Sequence, residues 1–457
     1  MRNVITKWSA VTISVVSMAL ALTACGNRPS DMKTMSNNLS EVISETSITG
    51  VSLDGAIVDT SLGFDPAIKR AVETHESYQA ARSLEQEMIN RVGVAKSVQR
   101  PQVTGSSTFG GIFEHGGQQP DTATAGIATG INISQLIYDG GESTSNVNQA
   151  TAEALAARAE LALLGNSLAL EAAEAWIDVW RYGEQLALLR KRASEMGTLV
   201  EQIERMASNG LSDRAALDSA RRQIVDITLE ETRLQADLHQ AEVRFTRFFK
   251  KQSTPLPPPA ELVNLTMAQT YATNWQQAPS LVLSAAKVMV ARSSAAGVEA
   301  SFKPKARLQA GINSPMQDGE STEARLGLMF EYTFGDGGRR EAQLEAAEAR
   351  VEALETQLSD AQRTLEAEID AALQQLTAIN ESMPLVKQQI ALSASEAQTA
   401  QSQLATGQSN LRQVVEAKIE NYRAEDRQIA MRAEKLMLQL SISARTGALG
   451  PLIGLKP

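Results

Sequence analysis

Few residues in this chain are of a type and spacing that could do chemistry. Its 457 residues hold one cysteine, Cys25, and three histidines, His75, His115 and His239. The histidines lie far apart and lack the nearby cysteine or acidic spacing of a metal site, so solvated or structural roles are expected, with no metal and no cofactor. No Ser/His/Asp set, phosphate-binding glycine loop or paired catalytic carboxylates stand out, and the chain does not read as an enzyme. A net charge of −10 without a cluster of lysines and arginines argues against a nucleic-acid partner, because phosphate binding needs such a cluster to release counterions. What remains is a thiol able to carry an acyl group, a set of Asp-Gly-Gly turns, and carboxylates on long periodic segments.

The surroundings of Cys25 indicate what acylation would do. Arg2 and Lys7 form a basic start, and the apolar run from Ala10 to Leu22 is too short to span a bilayer as a stable helix, so residues 1–24 read as a secretory signal. Leu22-Thr23-Ala24-Cys25 resembles the bacterial lipobox, in which the cysteine is acylated and becomes the mature N-terminus; Gly26, rather than Asp, then favours sorting to the outer membrane. Each buried CH₂ of the acyl chains contributes about 0.8 kcal/mol, enough to tether the chain but not to build a pore. Residues 25–65 are expected to be the acylated extension.

The remaining chain is duplicated. Asp139-Gly140-Gly141 returns as Asp336-Gly337-Gly338, and Gly210-Leu211-Ser212-Asp213 returns as Gly407-Gln408-Ser409-Asn410, both at an interval of 197 residues. Between these marks apolar residues recur at steps of three and four, from Val147 through Leu161, Leu168, Val179 and Leu189 to Ile203, and from Leu344 through Leu354, Leu365 and Leu376 to Ile390. That is a heptad seam. Both copies carry a double step of four centred on Leu168 and Leu365, an irregularity that locally unwinds a supercoil. Each seam predicts a helix of about 65 residues and roughly 100 Å, far longer than a compact domain allows. A second amphipathic stretch follows each glycine turn. Pro384 is expected to kink or briefly break the second helix near Glu381 to Pro384. Trp176 and Trp180, one turn apart, are expected to anchor packing near the helix midpoint.

Ahead of each helix the period changes to two. Ala125, Ile127, Thr129, Ile131 and Ile133 alternate with small or polar residues, and Ala324, Leu326, Leu328, Phe330, Tyr332 and Phe334 alternate with Glu323, Arg325, Gly327, Met329, Glu331 and Thr333. Val103 to Phe113 and Lys305 to Asn313 read as their partner strands, joined through exposed tips at Glu114 to Thr124 and Ser314 to Thr322. Strands of about ten residues suit a tilted crossing of a bilayer, with one face for lipid and one for water. Four strands are too few to close, and an open edge has no hydrogen-bond partner in hydrocarbon, so several chains must share one barrel.

At this point the chain resembles the TolC-like outer-membrane factor family, from about Phe64 to Thr446. The resemblance rests on the repeat of strand hairpin, long helix, glycine turn and return helix, and on the junction Ser134-Gln135-Leu136-Ile137-Tyr138-Asp139-Gly140-Gly141. It implies a mainly α chain with transmembrane β: a homotrimer whose 12-stranded β-barrel, four strands per chain, continues as a periplasmic α-helical coiled-coil barrel. The expected segments are a first repeat at 66–250 (hairpin 102–137, helices 142–208 and 211–250), a linker at 251–262, a second repeat at 263–446 (hairpin 305–334, helices 339–406 and 408–445) and a tail at 447–457. The resemblance further implies passage of cargo out of a Gram-negative cell, through a periplasmic adaptor and an inner-membrane ABC or proton-driven transporter. The cargo is protein, by type I secretion, or small molecules. Residues Gly210–Asp213 and Gly407–Asn410 would meet the adaptor, and Gln413 and Glu416 occupy the positions where the family sets acidic residues around the narrow end, a ring that would favour cations. Glu416 also reads as a solvated helix charge, Ser212-Asp213 as a helix cap, and Asp139 and Asp336 as turn and helix-start residues. The other class of function is a coiled-coil envelope spacer that does not conduct.

Overall fold

The computed structural model describes residue 58 and residues 60–114, 122–208, 214–251, 255–314, 321–405 and 411–455. Cys25, His115, the hairpin tips at 115–121 and 315–320, and the glycine turns Gly210–Asp213 and Gly407–Asn410 lie outside the described residues.

Two helices begin the described chain, α1 (Phe64–Glu73) and α2 (Glu76–Ser97). Strands β1 (Gln102–Glu114) and β2 (Thr122–Tyr138) lead into α3 (Glu142–Ser208), and α4 (Arg214–Phe249) returns alongside it. The second copy follows as α5 (Leu265–Thr273), α6 (Pro279–Ala300), β3 (Lys305–Ser314), β4 (Glu323–Glu331), α7 (Arg339–Ala405) and α8 (Leu411–Arg445), with a final turn α9 (Leu449–Leu452). The helices α3 and α7 have 67 residues each, which at 1.5 Å per residue is about 100 Å.

The seams account for the packing. On α7 the buried apolar residues are Leu354, Leu365, Ile369, Leu376, Ile379, Val386 and Ala400, at intervals that keep one stripe inward while the rest of the helix stays wet. Leu168 and Leu365, at the centres of the two stutters, are both buried. Towards the strands, α2 packs on α3, α3 on α6 and α6 on α7; towards the glycine turns, α4 packs on α3, α3 on α8 and α8 on α7. Within the described residues these helices therefore form a layer, with α7 on one flank and α2 or α4 on the other.

Pro384 does not break its helix: α7 is continuous from Arg339 to Ala405. Proline removes only the one N–H that would reach back to residue 380, and buried Ile379 and Val386 hold the helix to its neighbours on either side. The side-chain amide of Asn380 bonds the Leu376 carbonyl at 2.8 Å in the same turn. Helices α2 and α6, absent from the sequence reading, each run directly into a hairpin.

Aromatic residues gather where α1, α3 and α4 meet. Trp176 is fully buried, edge-on to Phe64 (5.6 Å) and Phe249 (5.7 Å), and Phe249 stacks on Phe245 at 4.3 Å. Trp176 Nε1 donates to the Pro257 carbonyl at 3.4 Å, tying the proline-rich linker to α3. Trp180 is buried beneath the Arg432 guanidinium, 5.1 Å from its ring centre. The residues after Thr446 also join this core: Leu449, Ile453 and Leu455 are buried, and Gly450 N donates to Asn166 Oδ1 at 2.9 Å.

Candidate functional site

The four strands form one antiparallel sheet in the order β1-β2-β3-β4, with β2 and β3 joining the two copies of the repeat. Directly paired residues of antiparallel strands point to the same side, so the register sorts the sheet into two faces. One carries Phe109 beside Ile127, then Ile131 beside Ile312, Ile133 beside Ala310 and Leu326, Leu308 beside Leu328, and Phe330. The other carries Thr104, Asn132 and Arg325, then Gln102, Ser134 and Gln309, then Lys305 beside Glu331. The apolar face is uncovered: Leu326 is 78% and Phe330 73% exposed. An apolar sheet face of this extent, with polar residues behind it, belongs in a medium other than water. On the polar face the side chains of Asn132 and Asn313 occupy the space that β-carbons on Gly311 and Gly130 would need, so glycine at those two positions lets the asparagines lie flat on the sheet.

Each sheet-to-helix junction is built on its Asp-Gly-Gly. The register slips between Leu136 and Tyr138, where β2 ends. Asp139 Oδ1 then accepts from Gly141 N (3.0 Å) and Oδ2 from Ser143 N (2.7 Å), satisfying donors that the first turn of α3 leaves open. Burial pushes the Asp139 carboxyl up, but the bonds from Ser143 and Gly141, with Lys305 nearby, outweigh it and hold the group below the ordinary carboxylate range. Gly140 and Gly141 take the left-handed backbone, with φ of 68° and 99°, and Gly337 and Gly338 repeat it with 70° and 85°.

The second junction uses an arginine that the sequence reading passed over. Arg340 donates through Nε to Asp336 Oδ2 (2.8 Å), through Nη1 to the Ser301 carbonyl (3.0 Å) and through Nη2 to the Thr333 carbonyl (2.9 Å), with its guanidinium 5.0 Å from the Phe302 ring centre. One side chain thus ties the exits of α6 and β4 to the start of α7. The partial burial of Asp336 works upward, and Arg340 overcomes it to leave that carboxyl low. The signal was present as an arginine closely following the Asp-Gly-Gly, on the first turn of the helix that the aspartate precedes. In the first copy Lys303 reaches the Gly140 carbonyl and Lys305 pairs with Glu142.

Of the residues expected at the narrow end, Gln413 and Glu416 are among those described. Gln413 and Glu416 lie exposed on the first turns of α8, and Arg412 Nε donates to Glu416 Oε1 at 2.8 Å. Higher on α8, a polar cluster not foreseen from the sequence crosses the layer. Tyr422 donates to Glu230 Oε1 (3.0 Å), Arg192 pairs with Glu230 (3.2 Å) and lies 4.4 Å from the Tyr422 ring centre, and Lys418 pairs with Glu195 (3.0 Å). Burial, and then the facing Glu230, raise the Tyr422 phenol well above its ordinary value. Of the histidines, His75 caps α2 by accepting from Ser77 N at 3.3 Å, and His239 stands exposed on α4.

A sheet sorted in this way and mounted on paired 67-residue helices defines the class as an outer-membrane channel protomer, and comparison with known proteins agrees. The sequence profile of the outer membrane efflux protein family matches residues 67–248 and 272–448. The chain is 24% identical over 353 residues to outer membrane efflux protein BepC of Brucella suis, covering 75% of this chain and 74% of that protein. Among solved structures it resembles the outer membrane protein VceC of Vibrio cholerae (TM-score 0.73, 16% identity, 85% of this chain and 96% of that one). It also resembles the CmeC outer membrane channel of Campylobacter jejuni (TM-score 0.72, 13% identity, 84% and 85%). The chain belongs to the outer membrane efflux protein family.

Proposed function

We propose that this chain is one of three identical subunits of an outer-membrane exit duct, each giving its four strands to a common barrel. The observation that carries the reading is the sheet itself, apolar and uncovered on one face, polar on the other, and ending in β1 and β4 with no strand beyond either among the described residues. In hydrocarbon such edges require partners, and β4 of one copy against β1 of the next supplies them. The long helices then continue the wall into the periplasm. A periplasmic adaptor meets the turns at Gly210–Asp213 and Gly407–Asn410, and an inner-membrane transporter, ABC or proton-driven, provides the energy. Acylated Cys25 tethers the N-terminus to outer-membrane lipid, and Gln413 and Glu416 face the narrow end. The efflux naming of the matching family and of BepC favours small molecules over protein as cargo.

Single-channel recording in planar bilayers tests the duct. Purified trimers are expected to give discrete conductance steps, and silence from folded trimers leaves the non-conducting spacer. Deletion of the chain tests the cargo. Greater sensitivity to lipophilic antibiotics with an unchanged set of secreted proteins supports efflux, and the converse pattern supports type I secretion.

A further inference from the structure

The helical layer leaves two flanks open below the sheet, and both carry leucines that nothing among the described residues covers. On α4, Leu229 is 65% exposed although Ile227, two residues earlier, is buried; at 100° per residue the two lie on nearly opposite sides, so Leu229 faces away from α3. On α7, Leu392 is 64% and Leu385 65% exposed, one heptad apart, beside the stripe that packs on α8.

Hydrogen bonds across the layer fix their relative height. Glu230 of α4 accepts from Tyr422 of α8 at 3.0 Å, and the neighbouring Asn421 of α8 meets Ser393 of α7 at 3.2 Å. Glu230 and Ser393 therefore share one level along the helices, and so do their neighbours Leu229 and Leu392. A closed ring of identical copies is generated by rotation without a shift along the axis. Residues at one level on the two flanks of a chain consequently meet at one level between chains.

We propose that α4 of one copy packs against α7 of the next in the register that sets Leu229 against Leu392. The inference rests on the shared-wall reading above and adds the surface and the alignment of the contact. The helices α4 and α7 run in opposite directions, so one heptad further from the glycine turns is residue 236 on α4 and residue 385 on α7. Ala236, exposed on the same face as Leu229, then stands against Leu385, a small residue receiving a large one.

Cysteine pairs read the register directly in the full-length, detergent-extracted protein. Leu229→Cys with Leu392→Cys, and Ala236→Cys with Leu385→Cys, are each expected to oxidise to a covalent trimer. Ala236→Cys with Leu392→Cys, out of step by a heptad or about 10 Å, is expected to cross-link at least tenfold more slowly, beyond disulfide reach. Single-cysteine variants give the background from Cys25. Sizing of the same samples without oxidation separates the two ways of failing. Assembled trimers that stay uncoupled at both in-register pairs, or couple as fast at the offset pair, overturn the register and leave the shared wall standing. A wild-type chain that stays monomeric in detergent overturns the shared wall itself.

Discussion

Replacing Arg340 with alanine tests how the wall is fastened to the helices. The substitution removes one charge-paired bond to Asp336 and two bonds to the Ser301 and Thr333 carbonyls, all between 2.8 and 3.0 Å, at a side chain only 13% exposed. A net of about 1 kcal/mol for each bond, discounted for partial solvent access, gives about 2–3 kcal/mol for the junction. That corresponds to roughly 30- to 150-fold in the local opening equilibrium. Hydrogen exchange of the peptides covering 299–304 and 333–344 should accelerate by this factor, while peptides around Trp176 stay unchanged. Arg340→Lys keeps the charge but has no planar fork to reach three acceptors, and should recover less than half of the loss in free energy. Exchange at wild-type rates in Arg340→Ala, or full rescue by lysine, would refute the three-way clamp.

Gly140→Ala should destabilise more than Gly337→Ala. Both force a left-handed backbone on alanine, at about 1 kcal/mol, but a β-carbon at 140 would also stand 2.5 Å from Lys303 Cβ and 2.9 Å from the Ala300 carbonyl, whereas 337 is open; equal yields of assembled protein would contradict this. Trp176→Ala should cost about 3–5 kcal/mol by emptying the aromatic cluster, read as loss of assembled protein at lower urea, with Trp176→Phe in between. Asp139→Ala should cost about 1 kcal/mol at neutral pH. Because the folded carboxyl is held low, its contribution is present above the unfolded value near 3.9 and disappears as pH falls through the folded one; a deficit of the alanine variant that stays constant from pH 7 to pH 2 would sink the assignment. Glu416→Gln should reduce cation preference in reversal-potential measurements, and unchanged selectivity removes Glu416 from the gate.

Periodicity made the long elements legible. The seam through Leu161, Leu168, Val179, Leu189 and Ile203 is buried along α3, and Ala324 to Phe330 form the alternating face of β4 because one side of each element meets a different medium. Helix α6 escaped notice for the opposite reason. It is apolar nearly all round, long and apolar enough by composition to cross a membrane, and offers no contrast from which to read a period. Helix α2 buries only Tyr78 and so carries almost no stripe. At Pro384 local propensity lost to the packing on either side. The Asp-Gly-Gly turns announced the helix starts, but the clamp by Arg340 depends on Ser301 and Phe302, 39 and 38 residues earlier, which no local pattern brings together. The Tyr422 cluster likewise joins residues far apart in the chain.

A sheet that ends, among the described residues, in two strands unpaired on their outer edges means that no single copy owns a complete wall. On the three-copy reading, sound and altered chains made in equal amounts would mix at random, and only about one ring in eight would be wholly sound. A damaged allele with intact edges would then dominate over its normal counterpart, whereas one that cannot pair its strands would be silent.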